Sequence, residues 1–247
     1  MASTIPAAIT EDSSVKLKFV TMTGADDSID AADLLPLSKD FPFVEWGILF
    51  SEQQEGNNRF PSGAWHVRLA NLAAANQLNL SAHICGRWVK QICSGDTAIF
   101  KRFSWLFEHY ERVQLNFHGE PHAFESSLAI TALKELKKQI IFQVDGANNS
   151  LSWKALQGEV NTAIIYDTSH GAGILPGHWP IPYSAMLCTY AGGLGPENLS
   201  EQLKLIAAAA GDAEVCIDME TKIRSNSDRQ FDLKKVRTCL EIASKYV

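Results

Sequence analysis

The chain has 247 residues, of which 46% are hydrophobic and 20% charged, with a formal net charge of −6. That length suits one large α/β domain, able to bury a core without disulfide or metal support. The negative balance disfavours a phosphate backbone as partner, and no apolar run approaches the roughly 20 residues a membrane span requires, so neither nucleic acid nor membrane is expected.

Residues 1–14 (MASTIPAAITEDSS) have neither a basic start nor a long apolar stretch, and read as a flexible polar arm ahead of one domain over 15–247. Eight short runs rich in β-branched and aromatic residues follow, at 17–24, 44–50, 80–86, 113–119, 140–146, 163–169, 187–193 and 215–221. Each ends in Gly, Asp, Ser or a polar cluster, as strands do. Between them, 64–77, 124–138, 196–210 and 231–246 carry apolar residues at spacings of three and four, which predicts helices with one buried face. The longest irregular stretches, 51–62 and 168–183, come directly after strands. Strand and helix alternating eight times implies parallel strands with right-handed crossovers. The expected fold is therefore a single (β/α)₈ TIM barrel of eight parallel strands, with an open doubly wound sheet as the competitor. The five cysteines show no CxxC spacing and read as buried thiols of a cytoplasmic protein, monomer or homodimer.

Several strands place polar residues at every second position: His83 and Cys85; Gln114, Asn116 and His118; Gln143 and Asp145; Asp218 and Glu220. Period two puts each set on one face. A barrel's outer face packs on helices, so the polar sets point inward. The lower members suit an internal hydrogen-bond network. The rim members Asn116, His118, Asp145 and Asp167 suit a ligand site, because barrel active sites lie at the C-terminal ends of the strands. Asp167 and His118 are a candidate acid/base pair, with Asp145 holding His118 or acting as a base itself. The Gly192–Gly193 pair before a helix suits an anion, and Gly171 and Gly173 suit a loop over the mouth. A metal held by His83, His118, Asp145 and His170 is an alternative; no metal or cofactor is expected.

In order, these motifs resemble phosphoribosylanthranilate isomerase. Residues 191–198 read AGGLGPEN, like that family's seventh strand, and 113–120 read VQLNFHGE, like its fourth. Arg59 follows the second strand, and Asp167, Gly171-Ala172-Gly173 and Trp179 follow the sixth in the family's order. The resemblance implies a barrel that acts on a phosphorylated sugar or similar small anion, with Asp167 as general acid and Arg59, Asn116, Gly171, Gly173, Gly192 and Gly193 around the ligand. Two positions depart from the family. Val20 stands where the resemblance implies a catalytic Cys, in Lys18-Phe19-Val20-Thr21, and Glu220-Thr221-Lys222 replaces a Ser-Ser-Gly phosphate turn, with Lys222 or Arg224 left to compensate. A valine transfers no proton, so the alternatives are a non-catalytic binder of small molecules or a metal-dependent sugar-phosphate epimerase or lyase.

Overall fold

A computed structural model of the chain describes residues 14–117, 126–144, 149–167 and 172–247. Its strands are β1 (Lys16–Thr23), β2 (Val44–Phe50), β3 (Asn79–Ile84), β4 (Arg112–Leu115), β5 (Gln139–Val144), β6 (Thr162–Tyr166), β7 (Leu187–Ala191) and β8 (Glu214–Met219). All pair in parallel in sequence order, and β8 returns to β1 to close the barrel. The helices are α1 (Leu34–Asp40), α2 (Gly63–Ala75), α3 (Arg87–Cys93), α4 (Ala98–Arg102), α5 (Ser104–Phe107), α6 (Ser126–Glu135), α7 (Asn149–Gln157), α8 (Leu199–Ala210) and α9 (Leu233–Ala243). After β8 come a 3₁₀ turn, Thr221–Ile223, and a short antiparallel ribbon of β9 (Arg224–Ser225) and β10 (Gln230–Phe231).

Local chemistry sets the helix ends. Ser62 Oγ accepts from Trp65 N to start α2, and Asp232 accepts from Lys234 N and Lys235 N to start α9. Gly211, at φ +57°, ends α8. On α9 the spacing of Val236, Cys239, Leu240 and Ala243 makes one wholly buried face. Burying such a Val or Leu stabilises the fold by about 1.5–3 kcal/mol.

The strands are buried on both sides, with opposite chemistry. Trp46, Ile48 and Phe50 of β2 and Val215 and Ile217 of β8 belong to the large outer core shared with the helices. Alternate residues face the barrel axis: Ile141, Ala163, Ile165 and Ala191 make a small inner apolar cluster, and most of the other inward positions are polar.

Two expectations need correction. The second run ends where β2 ends, but the runs at 17–24, 80–86, 113–119, 163–169, 187–193 and 215–221 extend past their strands at the C-terminal end, where the chain leaves the ladder to build the rim; residues 145 and 146 of the fifth run lie outside the described residues. The alternation also fails at the sixth crossover: among the described residues no helix joins β6 to β7. Pro176, Pro180 and Pro182 lie in that segment, and proline removes a helix donor and clashes with the preceding turn. Aromatic side chains cover β6 and β7 in place of a helix. Tyr190 stacks on Tyr166 at 5.6 Å and meets Trp179 edge-on at 5.6 Å. The Tyr190 hydroxyl donates to Pro180 O (2.7 Å), and Trp179 Nε1 donates to Gln202 Oε1 on α8 (3.0 Å). Trp179 is thus a packing residue on the outside of the barrel. The arm expected at 1–14 lies outside the described residues, apart from exposed Ser14.

Candidate functional site

The barrel's inward side chains form three tiers. In the lowest, Arg112 Nη1 of β4 donates to both carboxylate oxygens of Glu45 on β2 (2.8 and 2.9 Å), and the Thr21 hydroxyl donates to the same carboxylate (2.9 Å). Arg112 also donates to Gln139 Oε1 (2.9 Å) and covers the Phe19 ring at 5.4 Å. Both ionic side chains are within 5% of complete burial.

The middle tier holds Thr23, Gly47, His83, Gln114 and Asp218. Thr23 Oγ1 donates to Asp218 Oδ1 (2.7 Å). Burial lifts the Asp218 carboxyl well above its ordinary value against that hydroxyl, and the Glu220, Glu45 and Asp167 carboxylates push the same way. Burial, reinforced by Arg112, lowers the His83 imidazole to about 3, so it is neutral at pH 7. Gln114 Nε2 bridges Asn116 Oδ1 (2.8 Å) and His83 Nδ1 (3.3 Å).

Above them a cavity of about 400 Å³ opens at the C-terminal ends of the strands. Gln114, Asn116, Gln143 and Asp218 line it, as the two-residue period requires, together with Asp167, Cys85, Glu220 and Lys222. Gln143 Nε2 donates to Asp167 O (3.4 Å) and Asn116 Nδ2 to Cys85 Sγ (3.4 Å). Burial pushes the Cys85 thiol up to about 12, which removes it as a base at neutral pH.

Arg59 also lines the cavity, with its guanidinium already engaged: Nη1 donates to Glu220 Oε1 (2.6 Å) and Nε to Asp228 Oδ2 (2.8 Å). Its backbone, at φ +74°, turns N–H toward Asp26 Oδ2 (2.6 Å). Desolvation raises the Glu220 carboxyl and Arg59 opposes it. Arg224 is not among the lining residues. Its side chain is 1% exposed and donates to Asp26 Oδ2 (2.7 Å) and to Gly24 O, and it pairs with Asp228 (2.9 Å), so it braces the rim.

Gly192 and Gly193, at φ +110° and +67°, line the cavity together with Gly173. A Cβ on Gly192 would lie 2.9 Å from Ile174 O, and one on Gly193 2.7 Å from Leu175 N. Backbone 173–175 therefore lies directly over the turn expected to hold an anion. A Cβ on Gly195 would meet Lys222 Cβ at 2.4 Å, so the exposed Lys222 crosses the approach to α8. His118, Asp145 and Gly171 lie outside the described residues.

Val20 requires a further correction. Thr21 and Thr23 bond Glu45 and Asp218 inside the barrel, so Val20 and Met22 face the helices, and both are fully buried in the outer core. The position that the family motif implies for the base has no access to the cavity. Thr23 is the uppermost inward residue of β1. Sequence reading passed over Thr23, Gly47, Glu45 and Arg112, although a Thr-x-Thr alternation and charges inside apolar runs were visible signals.

A closed (β/α)₈ barrel with a polar, carboxyl-rich cavity at its C-terminal mouth defines the class. No protein-family model matches the sequence, and no curated protein is significantly similar to it. Among solved structures, the chain is similar to "mutually generated monomers" of the dimeric phosphoribosylanthranilate isomerase of Thermotoga maritima, at 16% identity and TM-score 0.55, over 93% of this chain and 100% of that one. It is similar to phosphoribosyl anthranilate isomerase from Thermococcus kodakaraensis, at 14% identity and TM-score 0.50, over 92% and 99%. A truncated 3-deoxy-D-arabino-heptulosonate 7-phosphate synthase from Thermotoga maritima, at 8% identity, gives TM-score 0.58 over 93% and 86%. At these identities the likeness establishes the barrel fold. Among the described residues no helix is long and apolar enough to cross a membrane, and no group of three or more His, Cys, Asp or Glu side chains could hold a metal ion.

Proposed function

We propose that this protein is an isomerase- or lyase-type barrel enzyme whose substrate is a small polyhydroxylated metabolite of the sugar-phosphate class, bound at the C-terminal mouth. One observation carries the reading: Asp167 and Asp218 carboxyl groups share one cavity with the Gln114, Asn116 and Gln143 amides. Amides match sugar hydroxyls in both donor and acceptor roles. Burial holds the Asp218 carboxyl protonated to higher pH than an ordinary aspartate, so it can donate a hydrogen bond or a proton to a bound oxygen. Asp167 is the proton-transferring group in this reading. Arg59, Lys222 and the N-terminal end of α8 are the candidates for the phosphate end. The two phosphoribosylanthranilate isomerase structures support the substrate class.

The test is a thermal-shift and turnover panel of ribose 5-phosphate, ribulose 5-phosphate and N-(5-phosphoribosyl)anthranilate. At least one should raise Tm and turn over, and Asp167→Asn should lower kcat by about 10²–10⁴-fold, the usual contribution of a general acid or base. Absence of any Tm shift across the panel would overturn the reading. A second reading, a non-catalytic binder, is favoured by Glu220 occupying Arg59 and by backbone 173–175 covering Gly192–Gly193. Ligand-dependent Tm shifts without turnover would select it.

A further inference from the structure

Two guanidinium groups and three carboxylates meet at the rim: Arg59 and Arg224 with Asp26, Asp228 and Glu220. Asp26 and Asp228 alone balance the two cations. Asp26 takes Arg224 (2.7 Å), and Asp228 takes both Arg59 (2.8 Å) and Arg224 (2.9 Å). Glu220 is the surplus charge, and of the three carboxylates it is the one that lines the cavity. Its position is costly. Burial and the neighbouring Asp167 carboxylate raise its pKa, and Arg59 only partly opposes them. A third carboxylate brings desolvation and repulsion to this rim without a third cation in the tie to offset them.

Half of that carboxylate is turned over to Arg59 and half is left to the cavity. Oε1 accepts from Arg59 Nη1 (2.6 Å), which fixes the group's orientation, and no described residue donates to Oε2. The side chain keeps 27% of its surface exposed, so it can be reached from the mouth. Two glycines mark where the acids stand. A Cβ on Gly24, just after β1, would lie 3.7 Å from Glu220 Cγ, and one on Gly192, just after β7, 3.6 Å from Asp167 Oδ1. Glu220 therefore stands over the end of β1 and Asp167 over the end of β7. Asp218, on β8 between those strands, lies one tier lower. Its Oδ1 accepts from Thr23, which leaves Oδ2 to carry a proton.

We propose that Glu220 is a catalytic residue of this cavity, taking a carbon-bound proton from the substrate opposite Asp167 and returning it to the neighbouring carbon. The inference deepens the proposed function and rests on its reading of the same cavity. On an α-hydroxy carbonyl compound, Glu220 removes the C–H proton next to the C=O. The C–H electron pair forms the C=C bond of an enediol, and the carbonyl oxygen takes the Asp218 proton. Glu220 then gives its proton to the former carbonyl carbon while Asp167 takes the proton of the neighbouring hydroxyl. The carbonyl has moved by one carbon, and solvent carries the proton from Asp167 back to Asp218.

The test uses glycidol, an uncharged epoxide, with the full chain. The Glu220 carboxylate should attack an epoxide carbon, forming an ester as the ring C–O bond breaks and the freed oxygen takes a proton. Peptide mass mapping should find the ester on Glu220, and its rate of formation should rise with pH through the carboxyl's pKa and then level off. That readout needs no variant. Glu220→Gln, which keeps an oxygen for Arg59, should abolish the ester. It should also lower kcat by about 10²–10⁴-fold on whichever of ribose 5-phosphate, ribulose 5-phosphate and N-(5-phosphoribosyl)anthranilate turns over. KM should stay within about threefold, because the lost interaction belongs to the transition state. A mere counter-ion of Arg59 would give neither the ester nor a selective loss of kcat. An unmodified Glu220, whether or not other carboxylates are labelled, or wild-type kcat in Glu220→Gln, would overturn the proposal. If a sugar phosphate raises Tm and turns over while Glu220 stays unlabelled, the proposed function survives and this inference falls. If glycidol esterifies Glu220 while no sugar phosphate binds, the inference stands and the sugar-phosphate reading falls.

Discussion

Glu45 interrupts an apolar strand, V-E-W-G-I-L-F, and the interruption is repaid across the barrel by Arg112. Removing one member of a buried pair leaves the other charge unpaired, which costs about 3–5 kcal/mol. Glu45→Ala should lower unfolding free energy by that amount in urea titrations, and Glu45→Met with Arg112→Met should cost clearly less than the sum of the single changes. Gly47→Ala should cost about 1–3 kcal/mol by overpacking, and less in a Thr23→Ala background, because the first collision is with Thr23 Oγ1. Asp218 makes a prediction about pH. Its folded-state pKa lies above the ordinary 3.8, so between those values the folded protein binds more protons than the unfolded one. Stability then falls as pH rises through that window. Asp218→Asn should flatten the fall in Tm as pH rises above 3.8 and raise Tm at the upper end of the range; an unchanged slope would mean that the carboxyl titrates normally in the folded state. The inward direction of Gln114, Asn116, Gln143 and Asp218 was legible from period two alone. Val20 misled because a motif set the parity of β1, whereas the strand's own Thr21 and Thr23 carried the correct one.

At the level of elements, strands were easier to read than helices. Each of the eight strand runs overlaps one of the eight strands, because β-branched residues bounded by turn residues leave few alternatives. The stretch holding α3, α4 and α5 escaped detection. Trp88, Val89, Ile92, Ile99, Phe100, Phe103 and Phe107 crowd it with apolar side chains, and Gly95 and Asp96 break any single 3.6-residue period. The missing sixth helix was half visible, since 168–183 read as irregular, but its aromatic replacement could only be seen in three dimensions. That replacement predicts its own energetics. Trp179→Ala should cost about 3–5 kcal/mol, as for other buried tryptophans, and Tyr190→Phe only about 0.5–1.5 kcal/mol for one hydrogen bond, both measurable by denaturant unfolding.

For the whole molecule, the ladder from β8 back to β1 closes the sheet, and a second tie at the rim reinforces that closure. Asp26 follows β1, Arg59 follows β2, and Glu220, Arg224 and Asp228 follow β8, joined by ion pairs of 2.6 to 2.9 Å. The Arg224–Asp26 pair is buried and screened little, whereas Glu220 and Asp228 are partly exposed, so raising NaCl from about 0.1 to 0.5 M should lower the wild-type Tm only modestly. Arg224→Ala should lower Tm by several degrees at both salt concentrations, because it leaves the buried Asp26 carboxylate without its cationic partner. A strong salt dependence in the wild type would mean that the network is wetter than its geometry indicates. None of this tie was legible beforehand, because its members lie up to 202 positions apart (Asp26 to Asp228) and only barrel closure brings them together. Arg224, expected at the ligand, serves the scaffold.

The segment across the β6–β7 gap is fastened by side chains, through the Tyr166 and Tyr190 hydroxyls and the Trp179 indole, where its neighbours are fastened by a backbone ladder. Such a strap can lift as one cooperative unit while the barrel stays folded. The same backbone roofs Gly192 and Gly193, so lifting it and uncovering the glycine turn are a single event. In amide-exchange experiments, residues 173–175 and 192–194 should therefore share one opening free energy below that of global unfolding. Tyr190→Phe should reduce that opening energy for both groups together and leave the amides of β2 and β3 unaffected.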